Sequence, residues 1–358
     1  MFINHVVKNC LYLLLFTVCS VNAKQTSYQY YAMMAGVISP FLEYHPVIPL
    51  NENEIDNVNY YRVLKNDKDE LQEIAYFENG IPSNNSYFKS HKVTYTRKNK
   101  NEYERKYFDI DNAPAFMWRH YYQGGDIHIE RYTRSKDART VILLDDKSTP
   151  IESGVGSHKL VATKVSAKQF LQTQFKLDGS ATIFRTFMPN KASLISVDDL
   201  GFLDKVINVD PITFSPMHNK KSGFTTLKVN FDEFGVETGW DYLDSKGNLL
   251  NQPSGSDEEG IAKWAYFRQW ENRDKGLFKK MWIQVYDQTG ASTAHPNGAA
   301  AIRYTKDDKG RYIEAAFLDN TGQLYQSKTD GFARRVFDYN KDGERTIIKY
   351  DQHGIKID

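Results

Sequence analysis

Short segments of alternating apolar and polar residues, closed by Asp-x-x-Gly tetrapeptides, run through the C-terminal part of the chain. Ile302-Arg303-Tyr304-Thr305 and Tyr312-Ile313-Glu314-Ala315-Ala316-Phe317 are two of them, with Asp307–Gly310 between. A period of two puts successive side chains on opposite faces, so each segment predicts a strand with one buried face. Asp at the first turn position accepts hydrogen bonds from backbone N–H groups just ahead, and Gly at the fourth takes positive φ without steric cost. Hairpin loops of three to five residues use this combination.

The pattern recurs as a unit. Gly223-Phe224, Gly260-Ile261-Ala262, Gly298-Ala299-Ala300 and Gly331-Phe332-Ala333 each open one. A first turn follows, as at Asp232–Gly235, Asp307–Gly310 and Asn340-Lys341-Asp342-Gly343, and then a second strand. Second turns lie at Asp244–Gly247, Asp287–Gly290, Asp319–Gly322 and Asp351–Gly354, the last three at intervals of 32 residues. Each unit therefore predicts two antiparallel strands. A lone hairpin is marginal in water, so neighbouring units must complete the core. The expected fold is all-β: tandem β-hairpin repeats forming an extended antiparallel meander sheet or open array.

Worn copies precede the regular ones. Tyr76-Phe77-Glu78-Asn79-Gly80-Ile81-Pro82 returns as Tyr107-Phe108-Asp109-Ile110-Asp111-Asn112-Ala113-Pro114 and as Leu143-Leu144-Asp145-Asp146-Lys147-Ser148-Thr149-Pro150. Gly and Asn suit a left-handed turn position and Ser148 suits it less. The expected organisation is an N-terminal cap or linker over 24–58, degenerate repeats over 59–220 and regular repeats over 221–358. Pro40, Pro46 and Pro49 break the register in the cap. Ser166–Phe175 reads equally as a short helix or a strand.

Composition supports strands: 14% of residues are aromatic, with 23 Tyr and 21 Phe, and flat rings pack well on pleated surfaces. The first 23 residues read differently. Lys8, the apolar run Cys10–Cys19, and Val21 and Ala23 before Lys24 fit a secretory signal peptide. The run falls short of the ~20 residues of a membrane span. The alternative there is lipid attachment at Cys19. Cleavage near Ala23 removes both cysteines, and with Lys8 gone it leaves 45 basic against 45 acidic residues. A neutral, thiol-free mature chain argues against broad electrostatic binding of nucleic acid and against disulfide or Cys–metal chemistry. The expected location is periplasmic or extracellular.

Phe337-Asp338-Tyr339-Asn340-Lys341-Asp342-Gly343 and Lys349-Tyr350-Asp351-Gln352-His353-Gly354 resemble the tracts of YD-repeat (Rhs-type) proteins of bacterial surfaces. A second likeness is to short-hairpin repeats such as MORN. The unit here is longer than the usual YD repeat and lacks the Arg-Leu that commonly follows Gly. The resemblance implies an exported β-strand array serving as shell, spacer or binding surface, without catalytic residues of its own.

Motifs for site chemistry are sparse. Asp338-x-Asn340-x-Asp342-Gly343 matches the opening of a calcium loop, but Lys349 stands where a bidentate Glu is needed. His120, His128, His158, His218 and His295 form no His-Glu-x-x-His pattern, and no Gly-x-Ser-x-Gly occurs. Asp257-Glu258-Glu259 is the densest carboxylate cluster. Neither catalytic residues nor a metal or other cofactor is expected. The richest departure is Lys263-Trp264-Ala265-Tyr266-Phe267-Arg268-Gln269-Trp270, with Trp240 and Trp282 in nearby units. Exposed rings there would stack on a sugar or a peptide; the plain alternative makes one face core. The expected function is non-enzymatic binding of a glycan, cell-wall polymer or protein partner in a bacterial envelope, with a structural spacer or an envelope glycan hydrolase as alternatives.

Overall fold

The computed structural model describes residues 28–117, 122–219, 223–256, 258–340 and 345–357. The leader with Cys10 and Cys19, and His120, Asp257, Asp342 and Gly343, lie outside them. The described residues form 23 strands of one antiparallel sheet, with two single-turn 3₁₀ segments and no α-helix. The sheet is an open meander in chain order except at its start. There Tyr28–Ala35 pairs with His45–Leu50 on one side and with Tyr60–Lys65 on the other. His45–Leu50 is thus the first edge, and the last strand, Lys356–Ile357, pairs only with Arg345–Tyr350. Ser166–Phe175 resolves into a turn and the strand Gln169–Phe175.

The expected turn chemistry is present in detail. At Asp244, Asp287, Asp307, Asp319 and Asp351, Oδ1 accepts from the backbone N–H groups two and four residues ahead, at 2.8–3.0 Å. The N–H groups of Gly247, Gly290, Gly310, Gly322 and Gly354 donate back to the Asp carbonyl. Ser148 takes φ 64° in the worn copy, close to the φ 62° of Asn112.

The sheet rolls around its own N-terminal segment. Residues 36–44, which join the first two strands, run through the interior, where Val37, Phe41, Leu42 and Tyr44 are buried in the main core cluster. Irregular backbone inside a protein strands its polar groups unless side chains reach them. Here they do. Val37 N–H donates to the Tyr87 hydroxyl at 2.8 Å, and that hydroxyl donates to the Val37 carbonyl. The carbonyls of Ile38, Pro40 and Phe41 accept from Arg185 (2.8 Å), Tyr132 (2.9 Å) and Arg139 (2.8 Å). Ser39 bonds Gln172 at 2.6 Å.

A buried polar network anchors the far end of this plug. Glu130, wholly buried, accepts from Arg105 (3.1 Å) and from the hydroxyls of Tyr107 (2.9 Å), Tyr122 (2.6 Å) and Tyr132 (3.1 Å). The Arg105 guanidinium lies over the Tyr44 ring, 4.7 Å from its centroid. A buried charge is tolerable only when paired and hydrogen-bonded in this way.

The two turns of a unit have different fates. The first turns at Asp232–Gly235, Arg273–Gly276 and Asp307–Gly310 dock on the N-terminal hairpin. A Cβ on Gly235 would sit 2.6 Å from the Phe202 ring and 3.0 Å from Val47, and one on Gly276 would sit 2.7 Å from Ala32. Asn59 bonds the Gly310 carbonyl at 3.2 Å, and Lys275 pairs with Glu54 at 3.3 Å. The glycines of the second turns face open space: nothing lies within 4 Å of a Cβ at Gly290 or Gly322, though Gln288 and Gln352 bond the neighbouring Asn251 and Gln326.

This asymmetry predicts different costs for one substitution. Gly290→Ala meets only backbone strain, about 1–2 kcal/mol. Gly276→Ala meets similar strain at φ 64° and must also displace Ala32, adding about 1–3 kcal/mol. Urea unfolding of the two variants checks the order; equal losses would remove the docking asymmetry.

Candidate functional site

The rings expected to form a binding patch do not gather on an open surface. Trp240 and Trp264 face each other across neighbouring strands and pack against the main core. Tyr266 meets Trp240 edge to face at 6.5 Å. Trp270 belongs to a satellite cluster with Phe202, Phe231 and Phe234. Trp282 pairs with Phe267 on the opposite face and packs with Ala301, Ala316 and Leu318. All five predicted ring residues are partly buried; Phe267, which was not among them, is 48% exposed.

A cavity of about 560 Å³ lies beside the thin end of the plug. Its walls are mostly apolar: Val37 and Ile38 from the plug, Phe187, and Leu203, Leu227 and Val229 from successive strands. Four polar side chains enter it, one of them Gln123, which donates to the Thr186 hydroxyl at 2.9 Å. Arg185 and Tyr87 are committed to the plug backbone as described, and Glu237 lies beside Gly36. Trp240 closes one side, its indole N–H donating to Glu237 at 2.6 Å.

A bulge delivers Glu237. Along the pairing of Thr226–Phe231 with Glu237–Leu243, Asn230 faces Gly239 and Phe231 faces Glu237, so Thr238 is the extra residue. A bulge shifts the alternation by one, which puts Glu237 on the face of Trp240. Gly239 is required beside it, because a Cβ there would meet the Trp264 carbonyl. A Cβ on Gly36 would stand 2.6 Å from Glu237 Oε2, so a larger residue there would have to push the carboxyl aside.

Burial in this apolar setting pushes the Glu237 carboxyl up to about 7, against the opposing pull of the Trp240 hydrogen bond and the Arg268 charge. Arg268 also donates to the Glu237 carbonyl at 2.7 Å. At neutral pH the group is therefore divided between acid and carboxylate. It can donate a hydrogen bond to a guest in the first form and accept one in the second.

The sequence held two unread signals for this site. One was an isolated Gly inside a strand pattern, Val236-Glu237-Thr238-Gly239-Trp240, which marks a bulge. The other was the Pro-broken stretch around Pro40, whose interior position no local pattern announces. Periodic histidines were also missed. His91, His128 and His158 each precede a strand and bond a carbonyl of the preceding unit, those of Tyr76, Ala115 and Ile151. The regular repeats place Ala262, Ala300 and Ala333 at the corresponding position. Among the described residues no three His, Cys, Asp or Glu side chains gather to hold a metal.

No family model and no curated protein matches the chain. Among solved structures it is similar to a porin-like protein from Bacteroides uniformis, at 10% identity over 75% of this chain and 93% of that one, with a TM-score of 0.24. It is also similar to a TcdB2-TccC3-TEV chain, at 11% identity over 82% of this chain and 15% of that one, with a TM-score of 0.19. Neither likeness is close enough to carry an argument about fold or function.

The raised acid has a signed consequence for stability. Its unfolded pKa is the ordinary ~4.3, so above pH 7 the folded protein holds a desolvated charge that unfolding would relieve. The penalty is full above about pH 7 and fades as pH falls toward 4.3. Glu237→Gln keeps an acceptor for Trp240 and removes the charge. The variant is expected to be more stable than the parent at pH 8, by on the order of 2 kcal/mol, with the gap closing by pH 5. Urea midpoints at the two pH values measure this, and a gap independent of pH would contradict it.

Proposed function

We propose that the protein is an exported, non-catalytic β-repeat binding protein. It receives a small, mostly apolar molecule with one polar end in the cavity beside the plug. The observation that carries this reading is the cavity itself: about 560 Å³ of largely apolar space with a titrating carboxyl and a tryptophan on one wall. Binding sites of small molecules have this make-up, apolar walls with a few convergent polar groups. Export draws on the leader-like N-terminus. No helix among the described residues is long and apolar enough to cross a membrane. The doubled turns of each unit support kinship with YD-repeat proteins, and a bacterial envelope is the corresponding setting.

A glycan or polymer stacked along the sheet finds less support, because Trp240, Trp264 and Trp270 are packed into it. The same packing favours the second reading, a spacer or shell within a larger assembly.

Titration with 1-aminoanthracene, a neutral apolar fluorophore small enough for the cavity, separates the two. Saturable uptake by the parent and at least about tenfold weaker uptake by Val229→Trp, which fills the space, are expected. Circular dichroism confirms that the variant folds. Absence of saturable uptake, or equal uptake by both proteins, would leave the spacer reading.

A further inference from the structure

A second recess lies at the seam where the docked first turns meet the N-terminal hairpin. Its volume is about 480 Å³, and Met33, Met34, Tyr76, Phe278 and Tyr312 contribute to its walls. Lys306, the last residue of the strand Ala301–Lys306, enters it just ahead of the docked Asp307–Gly310 turn. Its ammonium nitrogen lies 3.8 Å from the centroid of the Phe278 ring and 4.9 Å from that of Tyr312.

What Lys306 lacks is an anion. The carboxylates around the seam are engaged elsewhere: Asp307 by Arg311 at 2.8 Å, Asp308 and Glu271 by Lys279 at 3.4 and 3.3 Å, and Glu54 by Lys275. Glu78 accepts from Ser83 at 3.0 Å. Among the described residues no hydrogen bond or ion pair is made by the Lys306 ammonium. Most lysines in proteins keep the ammonium in water or against a carboxylate. This one is held against two rings inside a cleft whose other cations include Lys275 and Lys89.

We propose that Lys306 is a nucleophilic amine that captures a small aromatic or apolar aldehyde in this recess as an imine. The step balances without a redox partner. The neutral amine attacks the carbonyl carbon, and the carbinolamine passes a proton from nitrogen to its hydroxyl group. Water then leaves with the carbonyl oxygen as the C=N bond forms. The ring and thioether part of the recess suits such a guest, because it accepts a flat apolar body. The ring faces favour the ammonium, but desolvation opposes it more strongly. Burial, with the nearby Arg268 charge, brings the lysine down to about 8 against the upward pull of Glu78 and Asp307. At pH 7 such a group offers roughly 200 times more free amine than an ordinary lysine. The Tyr312 hydroxyl, pushed up to about 12 by burial, stays protonated beside it.

The test uses the full chain and 4-hydroxybenzaldehyde at equimolar concentration. Sodium cyanoborohydride fixes the imine, and peptide mass spectrometry then assigns the label. Lys306 is expected to carry about tenfold more label than exposed lysines such as Lys136 and Lys246, with its rate rising through half-maximum near pH 8. Lys306→Arg should lose the fast phase of total labelling while the slow phase persists. Met34→Trp, which narrows the recess, should slow Lys306 and leave Lys136 unchanged. Circular dichroism checks the fold of both variants. Label spread evenly over the lysines, a half-maximum near pH 10, or a Met34→Trp variant labelled as fast as the parent would each overturn the assignment. None of these outcomes bears on the cavity beside Glu237.

Discussion

The structure depends on satisfying a stretch of irregular backbone that lies indoors. Residues 36–44 have no strand partner, and each polar group left unpaired there would cost about 1–3 kcal/mol. Tyr87, Tyr132, Arg139, Gln172 and Arg185 reach inward from positions spread over a hundred residues of chain to meet that demand. Only a sheet that rolls can bring side chains so far apart in sequence to one short segment. The plug is thus both guest and template: it fills the interior and dictates the radius. It also explains polar residues on a face that alternation assigns to the core, such as Arg105 and Glu130.

One local chemistry serves two tertiary ends. The Asp-x-x-Gly turns of both rows hold the same hydrogen bonds, because those bonds are made within five residues. Which row docks is settled by the curl. As the sheet rolls, its first turns approach the hairpin formed by the opening strands, with Gly235 at Val47, Gly276 at Ala32 and Gly310 at Asn59. The second turns are carried away from it. A repeat that looks uniform along the chain therefore has one row whose glycines are packed against the hairpin and one whose glycines face open space.

That difference marks how far the sequence is legible. Strands, turns and the meander follow from interactions a few residues in range, so alternation and Asp-x-x-Gly spacing reveal them even in the worn copies. Ser148 shows the strength of the register: it adopts the left-handed turn geometry that suits it poorly. Alternation also shows that Trp264, Tyr266 and Trp270 share a face. It cannot say which face turns inward, because the inside is defined by the plug. The plug itself is announced by no pattern, since its partners are long side chains distributed over many strands. Glu237 is hidden for a related reason: without the bulge at Thr238 it would belong to the other face.

The cavity falls where it does because the plug is uneven. Phe41, Leu42 and Tyr44 fill one end of the rolled interior, and Phe41 and Tyr44 meet the Phe170 and Phe88 rings at 6.0 and 5.5 Å. The other end offers Gly36, Val37 and Ile38, with no aromatic ring. A rolled sheet of fixed strand spacing cannot shrink around so thin a segment, so space remains. A larger residue at 36 would have to displace the Glu237 carboxyl, 2.6 Å from where its Cβ would stand. Filling the space with apolar side chains would have been the simpler route to stability, and a half-desolvated carboxyl is a standing cost. Structures keep such costs where a site uses them, which makes the thin end of the plug the part of this fold least explained by folding alone.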